Sequence, residues 1–65
     1  MEEVIPTLEP WDLTKLGKVA RLQGRFERAI TYYRMALDSF IQSENLRGIS
    51  ASYLNIGSAL NSLAR

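Results

Sequence analysis

Among the side chains of this 65-residue sequence that could do chemistry, the basic ones stand closest together. Lys15, Lys18, Arg21, Arg25, Arg28 and Arg34 fall between positions 13 and 34 with Glu27 as the one acid among them, whereas Glu2, Glu3, Glu9 and Asp12 precede them without a basic residue. Lysine and arginine offer charge and hydrogen-bond donors but no acceptor, so they suit the capture of carboxylates rather than the breaking of bonds. The groups that usually break bonds are missing. With no histidine and no cysteine, the sequence lacks the commonest general bases, nucleophiles and soft metal ligands. Glu27, Asp38 and Glu44 lie at spacings that do not bring them together, and no glycine-rich phosphate loop, nucleophile elbow or metal-ligand spacing occurs. The expectation is a protein that is not an enzyme and carries no cofactor and no metal.

Composition narrows the partner class. A formal charge of +1 with 23% charged and 46% hydrophobic residues describes an ordinary globular chain, and no nucleic-acid motif accompanies the basic stretch, so no nucleic acid is expected as a partner. The absence of cysteine rules out disulfide support for a core that must be thin at this length. The sequence opens Met-Glu-Glu without a basic segment followed by an apolar one, and no apolar run approaches the roughly 18 residues of a membrane span. No membrane span and a cytoplasmic location are the expectations.

Three helices account for the apolar pattern. Residues 1–9 hold Pro6, three acids and few periodic apolar positions, which suggests an extended lead-in whose Val4, Ile5 and Leu8 pack back on the domain. Pro10 suits the first turn of a helix over about 10–22, where Leu13, Leu16, Gly17 and Ala20 follow three- and four-residue steps and Gly24 supplies a left-handed stop. A second helix over about 25–43 carries Phe26, Ala29, Ile30, Tyr33, Ala36, Leu37, Phe40 and Ile41 as one wide stripe. Asn45 is a good N-cap for a third over about 46–64, with Leu46, Ile49, Tyr53, Ile56, Leu60 and Leu63 at helical steps. Gly57 inside that helix costs about 1 kcal/mol relative to alanine, which points to a packing reason.

One pattern occurs twice. Leu13-x-x-Leu16-Gly17-x-x-Ala20 returns forty residues on as Tyr53-x-x-Ile56-Gly57-x-x-Leu60, and Ala29-x-x-x-Tyr33-x-x-Ala36 lies between the copies. This order resembles the tetratricopeptide repeat, in which a large residue, Leu-Gly, a helix break and a small-aromatic-small run follow one another. The forty-residue spacing is similar to the longer-helix branch of that family, whose Asn-x-x-Gly-Ile is matched by Asn45-Leu-Arg-Gly48-Ile49. Ala20 stands where the family often has tyrosine, and Ile41 where a proline commonly ends the unit. The resemblance covers residues 10–65 and implies an all-α fold: a helical hairpin plus a third helix that begins another unit. It also implies that Gly17, Ala20, Ala29 and Ala36 sit where helix backbones approach, with Leu13, Leu16 and Tyr33 interlocking between them, and that Gly57 repeats the role of Gly17.

In that family the first helices of successive units line a groove for an extended peptide or a partner helix. The resemblance therefore puts Trp11, Thr14, Lys15, Lys18 and Arg21 of the first helix beside Ala51, Leu54, Asn55, Ser58, Asn61 and Ser62 of the third, as outward residues. Cations would face amides and hydroxyls, an arrangement suited to an acidic segment of a protein partner. Asn55 falls where carboxylate-clamping members carry asparagine, while Thr14 replaces a lysine and Lys18 an asparagine of that clamp. Trp11 has a second reading, in which its ring covers the end of the core.

The third helix poses a separate question. Leu54, Leu60, Leu63 and Ala64 cannot all face one neighbour, so either the helix is a terminal cap, as Ser50, Ser52, Asn55, Ser58, Asn61 and Ser62 suggest, or a second copy of the chain covers it, as Leu54 and Gly57 suggest. A homo-oligomer, specifically a dimer, is the favoured expectation, because about one and a half repeats fall short of the three normally needed for independent stability. The expected function is that of a small adaptor or assembly factor that binds a partner protein through a helical groove. A purely structural subunit, or a self-associating cap in a larger complex, is the alternative.

Overall fold

The computed structural model describes residues 8–64, which form three α-helices: α1 (Pro10–Leu22), α2 (Phe26–Gln42) and α3 (Leu46–Leu63). No strand occurs among the described residues. The fold is all-α. Most of the lead-in, including Val4 and Ile5, lies outside the described residues. Leu8 is described, and it is exposed rather than packed back on the domain.

The helix boundaries have local causes. Pro10 occupies the first position of α1, and the Asp12 carboxylate accepts from the Glu9 backbone N–H at 3.2 Å, closing one side of a capping box. Asn45 caps α3 by accepting from the Gly48 N–H at 3.0 Å, a contact typically worth about 1 kcal/mol. Both interhelical turns close in the same way. The Arg25 N–H reaches back to the Ala20 carbonyl at 2.8 Å and the Gly24 N–H to that of Arg21 at 2.9 Å; Asn45 and Glu44 repeat these bonds to Phe40 and Ile41 at 2.9 and 3.1 Å. Each turn needs one left-handed residue. Gly24 supplies it at φ 78°, but Glu44 adopts φ 54° with a side chain present, a conformation that costs about 1–2 kcal/mol in a residue other than glycine.

Short turns make neighbouring helices antiparallel, and the contacts follow. Trp11 at the start of α1 lies against Phe40 near the end of α2, with ring centroids 4.7 Å apart. α2 packs on both neighbours, while α1 and α3 touch each other only sparingly. Two apolar clusters form along α2. Ala20, Ala29, Tyr33 and Ala59 make one, flanked by Ile30, Tyr32 and Ile56. Leu13, Ala36 and Phe40 make the other, flanked by Tyr32 and Ile49. The small residues stand where backbones approach: Gly17, Ala20, Ala29, Ala36, Gly48 and Ala59 are all buried.

Two glycines are sites of close approach for α2. A Cβ on Gly17 would fall inside the Tyr33 ring, and one on Gly48 would fall inside the Phe40 ring. Tyr33 and Phe40 are the two largest fully buried side chains, so each aromatic ring of the core is seated on a glycine of a neighbouring helix. Gly57 is different. Nothing lies within 4 Å of the position its Cβ would take.

Candidate functional site

Because α1 and α3 both run antiparallel to α2, they run parallel to each other on one side of the molecule. Arg21 near the end of α1 donates from Nη1 to the Ser58 hydroxyl of α3 at 2.9 Å, a link across 37 residues of sequence. This is the one hydrogen bond between side chains of different helices among the described residues. It brings together two of the residues expected on a shared face.

The other members of that face are distributed unevenly. Lys15, Lys18, Leu54 and Asn61 are exposed and Asn55 is half-buried. Lys15 and Lys18, six and three residues before Arg21 on α1, are exposed to solvent, where an incoming carboxylate would meet their charge and donors. Trp11 is 42% exposed, but its ring rests on Phe40 and so covers one end of the core while keeping an edge in solvent. Thr14 does not face outward as expected. It is buried at 5% exposure, and its hydroxyl donates to the Pro10 carbonyl one turn earlier at 3.2 Å, so it has no donor left to offer a ligand.

Two depressions lie at the ends of the helices, one among Gly24, Arg25, Phe26, Glu27, Arg28 and Leu63, the other among Glu9, Pro10, Trp11, Ser39, Phe40, Ser43 and Asn45. Among the described residues no group of three or more carboxylates is arranged to hold a metal ion, and no helix is long and apolar enough to cross a membrane.

Two hydroxyls are buried in the core, and one of them, Ser52, belongs to the polar set expected on the outer side of a terminal cap but is 1% exposed. Tyr33 Oη and Ser52 Oγ are shielded from solvent and have no hydrogen-bond partner. Burial pushes the Tyr33 phenol above its ordinary pKa, and the charge of Arg21 pulls it part of the way back. A buried hydroxyl without a partner costs about 1–3 kcal/mol. Ser52→Ala should accordingly raise the urea midpoint of unfolding, by an amount equivalent to about 1 kcal/mol, since alanine also has the higher helix propensity. A lowered midpoint would mean that the hydroxyl has a partner after all. The signal for Ser52 in the sequence was its place between Ile49 and Ile56 on the face that meets α2, where serine is out of character.

No family model matches this sequence, and no curated protein and no solved structure matches it significantly.

Proposed function

We propose that this chain is a small protein-interaction module that holds an acidic segment of a partner protein along the face shared by α1 and α3, in the manner of tetratricopeptide repeats. The observation that carries the reading is the parallel pairing of α1 and α3 through Arg21 and Ser58, with Lys15 and Lys18 exposed on the preceding turns of α1. Their charges would steer an acidic segment to the face, and Asn55, Ser58 and Asn61 would fix its register by directional hydrogen bonds. Leu54, exposed on the same face, would contribute apolar contact area.

Arg21 is a poor choice for testing this because it also joins the helices. Lys15 and Lys18 are exposed and, among the described residues, make no hydrogen bond to another helix, so they are the cleaner pair. A Lys15→Glu/Lys18→Glu variant should keep its stability to within about 0.5 kcal/mol, as surface substitutions usually do. Its affinity for a Glu/Asp-rich peptide, read by fluorescence anisotropy, should fall about tenfold, equivalent to about 1.4 kcal/mol. Equal affinity of the variant and the parent chain would remove the basic face from the function.

A second reading is a structural one, in which the chain is a subunit held within a larger assembly. The exposed apolar side chains of α3 favour it, since Leu46, Tyr53, Leu54 and Leu60 are all exposed on a helix whose only charged residue within Leu46–Leu63 is Arg47. The two readings share Leu54 but otherwise use different residues of α3, and they are not exclusive.

A further inference from the structure

α3 buries Gly48, Ser52 and Ala59 against α2. On its opposite side run Leu46, Ser50, Tyr53, Gly57, Leu60 and Ala64, all exposed, at steps of four and three residues in strict alternation. That spacing has a period of 3.5 and makes a straight seam suited to a second helix packed alongside at a shallow crossing angle. We propose that a second copy of this chain covers the seam, its α3 packed antiparallel to the first about a two-fold axis at the level of Asn55. The proposal concerns a different face from the α1–α3 groove and does not depend on it.

The order of residues in the seam carries the inference. In an antiparallel pair centred on Asn55, Tyr53 of one copy lies level with Gly57 of the other, Leu60 with Ser50, and Leu46 with Ala64. Every level pairs a large side chain with a small one. Each pairing also occurs twice by symmetry, which is what an isologous interface requires. A parallel pair would instead set Tyr53 against Tyr53 and Gly57 against Gly57, leaving overlap at one level and a void at the next.

The domain already contains the contact that the seam would make. In the first copy of the repeated pattern the space above Gly17 is filled by the Tyr33 ring. In the second copy the space above Gly57 is empty to 4 Å, and Tyr53 stands on the same seam with its ring exposed. Tyr53 of the second copy would fill that space as Tyr33 fills the one above Gly17. Charge offers no obstacle, for Arg47 is the only charged residue of α3. The antiparallel arrangement separates the two Arg47 side chains by about 24 Å along the axis at 1.5 Å per residue, well beyond the screening length of about 8 Å.

The test uses the complete chain, which has no cysteine of its own. In a Ser50→Cys/Leu60→Cys variant the proposed pairing sets the thiol at position 50 of each copy level with the thiol at position 60 of the other, and oxidation should convert the protein to a covalent dimer. Ser50→Cys alone should not cross-link at a comparable rate, because residues 50 of the two copies would lie about 15 Å apart along the axis, beyond the Cα separation of about 4.4–6.8 Å that a disulfide spans. Gly57→Leu should keep its helical circular dichroism, since nothing in the domain occupies that space, and should shift the sedimentation mass from twice 7.4 kDa to 7.4 kDa. A parent chain that sediments as a monomer at submillimolar concentration would overturn the proposal. So would cross-linking of the single-cysteine variant as fast as the double one, or an undiminished dimer in Gly57→Leu.

Discussion

Phe40→Ala should leave the domain largely unfolded at room temperature. Phe40 is almost entirely buried, joins Leu13 and Ala36 in one of the two core clusters, lies against Trp11 and covers Gly48. Removing a buried phenylalanine costs about 3–5 kcal/mol, and a core of this size rarely supplies more than about 3–5 kcal/mol in total. The loss is therefore comparable to the whole stability. Trp11 is the only tryptophan, so the outcome is visible in its fluorescence, which should move towards that of a fully solvated indole together with a loss of helical circular dichroism. Retention of both signals would mean that the Tyr33 cluster alone can hold the fold.

The second large effect is a difference between two glycines in equivalent places of the repeated pattern. Gly17→Ala drives a methyl into the Tyr33 ring, which is held in a fully buried position and cannot retreat without disturbing Ala20, Ala29 and Ala59 around it. Overpacking of that kind costs about 1–3 kcal/mol. Gly57→Ala meets open space, and within the monomer it should gain close to the full helix-propensity difference of about 1 kcal/mol. Urea unfolding at concentrations low enough to keep the chain monomeric should give midpoints on opposite sides of the parent value. Two shifts of the same sign would contradict the packing described for Tyr33 or the open space described above Gly57.

These glycines show what can be read from a sequence and what cannot. The spacing of Leu13, Gly17 and Ala20 identified a helix face that meets a neighbour, and the same spacing in Tyr53, Gly57 and Leu60 marked the corresponding face of α3. Periodicity did not reveal that the two faces differ in occupancy. In α3 it also merged two seams into one, because Ile49, Ile56 and Leu63 recur every seven residues and so do Leu46, Tyr53 and Leu60. Ile49 and Ile56 pack on the core, whereas Leu46, Tyr53 and Leu60 are exposed. Only the position of α2 distinguishes them. The small residues Gly48, Ser52 and Ala59 that actually meet α2 carry little hydrophobic signal, and their importance comes from the rings of Tyr33 and Phe40 beside them.

Turn chemistry was legible at Gly24 and hidden at Glu44, since nothing in a glutamate announces a left-handed backbone. Its side chain is tolerated because the bonds from Glu44 and Asn45 to Ile41 and Phe40 hold the turn. On the candidate face, the charges of Lys15, Lys18 and Arg21 were plain in the sequence, but the division of labour among them was not. Arg21 spends one of its donors on Ser58 and Thr14 spends its hydroxyl on Pro10, so in the proposed reading the two lysines, the amides of Asn55 and Asn61 and the Ser58 hydroxyl would be the groups that meet a ligand.

The central claim, that the face shared by α1 and α3 receives an acidic protein segment, is tested most directly by a residue-resolved titration. A uniformly 15N-labelled chain titrated with a Glu/Asp-rich peptide should show amide shift changes concentrated at Lys15, Lys18, Arg21, Asn55, Ser58 and Asn61, and these should shrink as salt is raised. Absence of shifts, or shifts confined to Leu46, Tyr53, Gly57 and Leu60 on the other side of α3, would contradict it.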